Sequence, residues 1–241
     1  MLLTLNNRTQ PFAPPEKRSQ RTLPASCDLS TQILRQDPPL RSCVLLQYVA
    51  GDENIYWPTL LWQLVTLRAG RPDLRLVLKT PITSPLWLRL LAALGIASGN
   101  KEEVDDALLR QVRQLTPMES RILLTLLSGA HVRPIADKLR RDTRTISSHK
   151  RRAMEKVGLA NNGELYALGA LLYGKQSNHR QDELSHSEQR VLTCLLGNGS
   201  VTTTARLLQK SVKTVSTQKR TIMKKLGVAH EVALYALRAT E

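Results

Sequence analysis

The sequence predicts a mostly α-helical protein in which a small α/β domain precedes two tandem four-helix domains. The first observation behind this prediction is an internal repeat: residues 115–172 recur at 184–241 with an offset of 69 and 22 identical positions. The second is that each copy spaces its apolar residues as short helices do. The third is that strand-like and helix-like segments alternate between residues 41 and 114, which is typical of a parallel sheet covered by helices.

The N-terminal part of the chain contains two regions of different composition. Residues 1–40 are rich in proline, glutamine, arginine and serine, so we predict a flexible N-terminal arm there. Residues 41–114 form the predicted α/β domain. Its expected strands are 43–49 and 74–79, and its expected helices are 58–69, 85–94 and 101–115.

All three tryptophans lie in this α/β domain, although only 4% of the residues are aromatic. Trp57, Trp62 and Trp87 are open to two interpretations. Tryptophan is enriched at interface hot spots, which favours an oligomerisation surface. Burial in the domain core is the commoner explanation.

Each copy of the repeat is predicted to contain four short helices. The first begins at a Leu-Thr or Leu-Ser cap and has Glu119 or Glu188 in its first turn, where a carboxylate suits exposed backbone N–H groups. The second helix is short. The third follows an N-cap residue, Asp142 or Ser211, and ends at a glycine, and the fourth is apolar on one face. These domains occupy residues 115–172 and 184–241, with a linker at 173–183.

The second and third helices of each copy form a predicted helix-turn-helix unit, in which a short helix and a tight turn precede a more basic helix. The third helix directs its apolar residues inward and its basic and hydroxyl residues outward. Such a face fits the major groove of B-DNA, where arginine reaches guanine and hydroxyls reach bases or phosphates. The candidate DNA-binding residues are Arg144, Ser147, Ser148, His149, Lys150, Arg151, Arg152 and Lys156 in the first copy and Lys213, Ser216, Thr217, Lys219, Arg220 and Lys224 in the second.

The charge of the chain points to the same kind of partner. The formal net charge is +15, and the two copies carry +11 of it, divided as +5 and +6. An excess of positive charge this large favours a polyanionic partner, and nucleic acid is favoured over an anionic membrane surface. A helix lying on a membrane needs aromatic anchors at its rim, which the outward faces lack, so we expect no membrane partner.

A set of motifs recurs in both copies. The first copy contains Leu115-Thr116 with Glu119, then Ile135-Ala136, Thr145-Ile146 and Lys156-Val157-Gly158-Leu159, and the second copy keeps the same order. These motifs resemble the DNA-binding domain of LuxR/FixJ/NarL-type transcription regulators. The resemblance implies a bacterial regulator whose third helix reads the major groove. Ser147 and Ser216 replace the lysine that this family usually presents to the bases, which leaves the target sequence open.

The strand end at 76–80 and the stretch containing Gly95, Gly99 and Lys101 resemble the second half of a response-regulator receiver domain. Receiver chemistry needs an aspartate at the end of the central strand, and the residue there is Gln47. The N-terminal part of the sequence also lacks the Asp-Asp pair that would form a magnesium pocket. The resemblance therefore implies a degenerate receiver that serves oligomerisation and regulation without aspartyl phosphorylation.

The sequence indicates neither catalytic nor cofactor chemistry. The five histidines have no cysteine or carboxylate partners at metal-ligand spacing, so we expect no metal and no cofactor. No phosphate-binding glycine loop and no nucleophile–base spacing is present, so we expect no enzyme. Cys27, Cys43 and Cys194 match neither a zinc site nor a disulfide framework, which favours a reduced, cytoplasmic protein.

Two functions follow from these observations. The first is a sequence-specific transcription regulator that reads promoter or operator double-stranded DNA with two recognition helices per chain, and forms a homo-oligomer through its N-terminal domain. The alternative is an adaptor in which one or both helix-turn-helix copies bind RNA polymerase or another regulator. The operator sequence and the choice between activation and repression stay open.

Overall fold

The structure is a computed structural model that describes residues 2–5, 20–23, 33, 43–48, 57–80, 82, 84–99, 106–173, 184–198 and 200–237. The chain divides into two compact units, residues 1–121 with 156–158 and residues 122–155 with 159–241. The predicted fold class is confirmed, because a small parallel α/β sheet precedes two sets of four helices.

A parallel sheet lies in the first unit. Within the part of the chain that the structure describes, its strand order is β2-β1-β3-β4-β5, and every neighbouring pair is parallel. This order is that of a doubly wound sheet, whose strand order reverses next to the first strand. The strands are β1 (Leu2–Leu5), β2 (Gln20–Leu23), β3 (Cys43–Tyr48), β4 (Arg75–Lys79) and β5 (Ala97–Ser98).

The observed strands differ from the prediction at the N-terminus. β1 and β2 lie inside the segment expected to be a flexible arm. β1 pairs with β3 and so supplies hydrogen-bond partners along the edge of β3 that β4 leaves open. With four residues each, β1 and β2 are too short for a clear alternation of apolar and polar residues. The remaining residues of 1–40, apart from residue 33, are outside the described ranges.

Helices cover both faces of the sheet. Leu45, Val77 and Ala97 form one buried cluster, against which Leu109 packs. Leu46 alternates with Leu45 on β3 and is also fully buried. Successive side chains on a strand point to opposite faces, so burial of both sets requires cover on both sides. The helices of this unit are α1 (Trp57–Gly70), α2 (Pro85–Ala93) and α3 (Asp106–Gln111).

Helix α3 is shorter than the helix predicted at 101–115. It ends at Gln111, and the next helix begins at Pro117 after the cap residue Thr116. Proline restricts the residue before it to extended conformations, which explains the break. Residues 101–105 lie outside the described residues.

The tryptophans take different positions. Trp57 and Trp87 are buried and meet edge to face, with ring centroids 5.3 Å apart and an interplanar angle of 73°. Trp62 is 41% exposed. The core interpretation therefore applies to two of them, and the interface interpretation stays open for Trp62.

The two copies of the repeat have the same series of helices. The third helices, α6 and α10, begin one residue after the predicted caps Asp142 and Ser211. Copy one contains α4 (Pro117–Leu127), α5 (Val132–Leu139), α6 (Thr143–Val157) and α7 (Asn162–Tyr173), and copy two contains α8 (His186–Asn198), α9 (Val201–Leu207), α10 (Val212–Lys225) and α11 (Glu231–Ala236).

The turn between the second and third helices is also repeated. Arg140 and Gln209, related by the offset of 69, both adopt the left-handed conformation, with φ of 50° and 52°. The next residue donates its N–H to the carbonyl of Ala136 or Ala205, at 3.0 and 2.9 Å. This closure of the short helix is a left-handed C-cap, which redirects the chain into the third helix.

The fourth helix of copy one packs against copy two within the second unit. Ala170 of α7 belongs to the buried core of copy two. Tyr166 and Tyr235 occupy equivalent positions in the repeat, and their ring centroids are 5.7 Å apart. We call this contact between α7 and α11, together with the loops beside it, the seam. Because equivalent residues meet there, the seam has a local pseudo-two-fold character.

Gly129 allows the seam to close, and its substitution tests that role. Its φ is +90°, and a Cβ added there would lie 2.5 Å from the His230 ring. Gly129→Ala should therefore lower the free energy of unfolding by about 2–3 kcal/mol, since backbone strain and overlap add. Urea denaturation measures this loss.

Gly227→Ala is the matched control for Gly129→Ala. Gly227 also has a positive φ, +66°, but nothing lies within 4 Å of the added Cβ. Only the backbone cost of about 1 kcal/mol is expected. Equal losses for the two variants would show that the contact between Gly129 and His230 contributes nothing to stability.

Candidate nucleic-acid interface

The third helix of each copy, α6 or α10, is the one predicted to read DNA, and we call it the reading helix. One apolar face anchors each reading helix to its own bundle. Ile146 and Ala153 of α6 are fully buried, as are Val215 and Ile222 of α10. Burial of this stripe directs the opposite, polar face of each helix outward. The N-terminal turns are capped as predicted, because Asp142 Oδ1 accepts the N–H of Arg144 at 2.6 Å and Ser211 Oγ accepts that of Thr214 at 3.0 Å.

Most of the predicted DNA-binding residues lie on the two outward faces. Arginine and lysine side chains dominate each face, so both present positive charge to solvent. The exposed members are Arg144, Ser147, Arg151 and Arg152 on α6 and Lys213, Thr217, Arg220 and Lys224 on α10, while Ser148, His149, Lys150, Ser216 and Lys219 are half-buried. We call the exposed set on each helix its reading face.

Lys156 lies away from the reading face. Its Nζ is 2.6 Å from Oε2 of Glu119 and 3.1 Å from the carbonyl oxygen of Gln114. Glu119 is 3% exposed and also accepts the N–H of Thr116 at 2.9 Å. Burial by itself raises the pKa of Glu119, but the hydrogen bonds from Lys156 and Thr116 lower it by a larger amount. The pKa of Glu119 is therefore below its ordinary value. The Lys156 ammonium is therefore held inside the protein by a buried carboxylate.

Copy two repeats this ion pair. Lys225 Nζ lies 2.7 Å from Oε2 of Glu188, which accepts the N–H of Ser185 at 2.8 Å. The bond from Lys225 lowers the pKa of Glu188. The last turn of each reading helix is thus tied to the cap of the first helix in its own copy. The sequence motif contains both members of the pair, but only their spatial contact identifies the structural role.

Lys219 is also engaged within the protein. Its Nζ lies 2.9 Å from Oε1 of Glu231, and both side chains are largely buried. Burial raises the pKa of Glu231, whereas the hydrogen bond and charge of Lys219 lower it, and the net direction is downward. Lys150 occupies the equivalent position in copy one, where Asn162 replaces Glu231.

A cleft of about 730 Å³ lies beside the seam, within the second unit. Its walls come from α6 and the start of α7 in copy one and from α10, α11 and the start of α9 in copy two. Prediction from single helices missed this site, because the residues that line it come from both copies. They include Ser147, Lys150, Arg151, Asn162, Ser200 and Lys219.

Within the described ranges, no group of three or more histidine, cysteine or acidic residues is arranged to hold a metal ion. Within the same ranges, every helix is too short or too polar to cross a bilayer. Cys43 and Cys194 are half-buried, and neither forms a disulfide within these ranges. Predicted residue Cys27 lies outside the described part of the chain.

Both copies of the repeat match the model of one known protein family. Residues 113–168 and 182–237 each match the GerE profile, described as bacterial regulatory proteins of the luxR family. The matched segments agree with the repeat at 115–172 and 184–241.

Solved structures of the response regulator RcsB are also similar to this chain. An RcsB–DNA complex is 21% identical, with a TM-score of 0.35, and the match covers 68% of this chain and 95% of that one. RcsB from Salmonella enterica serovar Typhimurium bound to the rprA promoter with a phosphomimetic is 24% identical, with a TM-score of 0.31, over 59% and 79% of the two chains. No curated protein sequence matches the chain. The assignment of both copies to the luxR family depends on the family match alone, since TM-scores this low add nothing to it.

The seam contains a histidine cap that depends on pH. His230 Nδ1 accepts the N–H of Ala233 at 3.1 Å at the start of α11, so this nitrogen is unprotonated. Burial lowers the pKa of His230 below its ordinary value, and the charge of His131 adds to this while that of Glu231 opposes it. In copy one the equivalent cap is Asn161, whose Oδ1 accepts N–H groups at 2.8 and 3.1 Å.

We expect this cap to weaken the fold as the pH falls. Because the pKa of His230 is lower in the folded state, the unfolded chain binds the extra proton first. The contribution of the cap to stability is therefore complete above the ordinary histidine pKa and is lost as the pH falls below it. His230→Asn, which copies the cap of the first repeat, should remove this part of the decline. Thermal unfolding at several pH values measures it, and identical pH dependence in the two proteins would contradict the assignment.

Proposed function

Since the chain carries two helix-turn-helix domains of the luxR family, we propose that it is a sequence-specific transcription regulator that reads double-stranded DNA with both reading helices. The observation that carries this proposal is the repeated reading face. Arg151 and Arg220 occupy equivalent positions, and both are exposed. Ser147 and Ser216 precede them by one helical turn. Arginine and serine at this spacing contact base edges and phosphates in a major groove.

The seam supports a bivalent arrangement within one chain. Two bundles related by a local pseudo-two-fold axis are suited to two half-sites about one helical turn, roughly 34–36 Å, apart. Tyr166 and Tyr235 join equivalent positions, as an interface between identical subunits would. One chain would then bind two half-sites, as a dimer of single domains does. Once the first bundle is bound, the second bundle would bind its half-site more tightly, because its effective concentration there is high.

We propose that the α/β unit forms the contacts of a homo-oligomer and is not controlled by aspartyl phosphorylation. Gln47 is the residue before the last of β3, and it lies between Thr4 of β1 and Lys79 of β4 in the strand register. An amide at this position cannot form an acyl phosphate as a carboxylate does. Trp62 gives the exposed side of α1 a large apolar side chain, and tryptophan is enriched at interfaces.

One observation favours an adaptor role for copy two. Leu207 and Val212 are 57% and 49% exposed at the turn that precedes α10, where copy one has Lys138 and Thr143. Exposed apolar residues at a turn suit a contact with RNA polymerase or another regulator. Loss of DNA affinity on mutation of α6 alone would favour this second function, in which only copy one reads DNA.

Substitution of the two arginines tests the leading proposal. Arg151→Ala and Arg220→Ala should each weaken binding to a duplex selected from a random pool by about 1–3 kcal/mol, because each removes a base-reading group. Fluorescence anisotropy of the full chain measures the affinity. Arg190→Ala removes an exposed arginine of α8 and serves as the control. Wild-type affinity in both reading-face variants would exclude DNA reading by these helices.

A second experiment tests the absence of phosphorylation control. Beryllofluoride mimics an aspartyl phosphate, and the full chain should bind the selected duplex equally well with and without it. We expect a change of less than about twofold, which is below 0.5 kcal/mol. A tenfold gain in affinity would mean that another carboxylate has taken the role absent at Gln47.

A further inference from the structure

The two sides of the seam are chemically different. On one side, Glu231 Oε2 lies 3.8 Å from His131 Nδ1, and a small cavity of about 50 Å³ remains. The repeat places Asn162 and Ser200 at the equivalent positions on the other side. There the cleft of about 730 Å³ stays open. The first side therefore has a histidine–carboxylate contact across the seam that the second side lacks.

This difference leaves Lys150 without a carboxylate at ion-pair distance, although Lys150 lines the small cavity with Glu231 as well as the cleft. Lys219 is neutralised by Glu231 at 2.9 Å. Within the described residues, no carboxylate lies within ion-pair distance of Lys150, its counterpart in copy one. Burial lowers the pKa of Lys150, and the charge of Glu231 opposes this shift only in part. A half-buried ammonium without a close counter-ion gains most from an anion that enters the cleft.

The remaining walls of the cleft suit an oxyanion. Arg151 and the hydroxyl of Ser147 lie on the same side as Lys150. Burial raises the pKa of Tyr166 and Tyr235 to about 12, so both phenols keep their protons and can donate hydrogen bonds. Among the lining residues, Glu155 is the carboxylate, and its side chain is exposed to solvent.

We propose that this cleft binds a phosphate group, with Lys150 as its principal ligand and Arg151 and Ser147 as supporting ligands. The group comes either from a small phosphorylated molecule or from the backbone of bound DNA, and in the second case the inference rests on the proposed function. A small phosphorylated ligand would place negative charge beside the reading face of α6 and so weaken DNA binding there. The cleft would then couple a metabolite to DNA affinity.

Binding of tripolyphosphate to the full chain tests the first source. Isothermal titration should show saturable binding at one site, and Lys150→Gln should weaken it by about tenfold or more. Asn162→Glu should weaken it equally, because it gives Lys150 the internal partner that Lys219 has. A glutamate at the first position of α7 suits the helix N-terminus, so this variant should fold. Thermal unfolding checks the fold of both variants.

Lys138→Gln is the control, since it removes the same charge from an exposed position of α5 outside the cleft. It should leave tripolyphosphate binding unchanged. Equal weakening by Lys138→Gln and Lys150→Gln would show unspecific attraction to a basic surface and overturn the proposal.

The salt dependence of DNA binding tests the second source. If the phosphate belongs to DNA, Lys150→Gln should lower the slope of log affinity against log salt by about 0.9, equally on selected and random duplexes. That result without tripolyphosphate binding assigns the cleft to the DNA backbone. No tripolyphosphate binding together with an unchanged slope overturns the inference. If wild-type protein binds no DNA, the proposed function fails, and tripolyphosphate binding alone then decides for or against the cleft site.

Discussion

The packing of α7 against α11 is the contact on which the proposed joint action of the two reading helices depends. Each reading helix is fixed within its own bundle by a buried apolar stripe, whereas the seam packs one bundle against the other. Tyr166 and Tyr235 meet there at equivalent positions, and Gly129 lets the His230 ring approach closely. A flexible link between the bundles would allow many spacings, whereas a packed seam selects a particular one and spares the entropy of choosing it on DNA.

The repeated lysines show how identical residues acquire different roles. Lys156 and Lys225 both pair with a capping carboxylate, so this ion pair is part of the architecture of each copy. Lys150 and Lys219 diverge, because the first residue of the fourth helix is Glu231 in copy two and Asn162 in copy one. The net charge of each copy therefore overstates the charge that it presents to a partner. Two differences, Glu231 against Asn162 and His131 against Ser200, give the seam its asymmetry.

Local signals explain why most helices were predictable and most contacts were not. Asp142 and Ser211 mark the starts of the reading helices because capping depends on a few adjacent residues. The outward position of Arg151 follows from helical period alone. The internal pairing of Lys156 did not follow, because its partner lies 37 residues away along the chain. The strands β1 and β2 were missed for a related reason, since β1 pairs with the distant strand β3 and β2 pairs with β1. The boundaries of the domains and the DNA contacts themselves stay predictions.

Hydroxyl-radical footprinting of the full chain on a selected duplex tests the central claim most directly. Two reading helices held by one seam should protect two patches on the same face of the duplex, with centres about one helical turn apart. Both patches should appear at the same protein concentration, because one chain binds both half-sites. A single protected patch, or two patches that fill independently, would contradict the account.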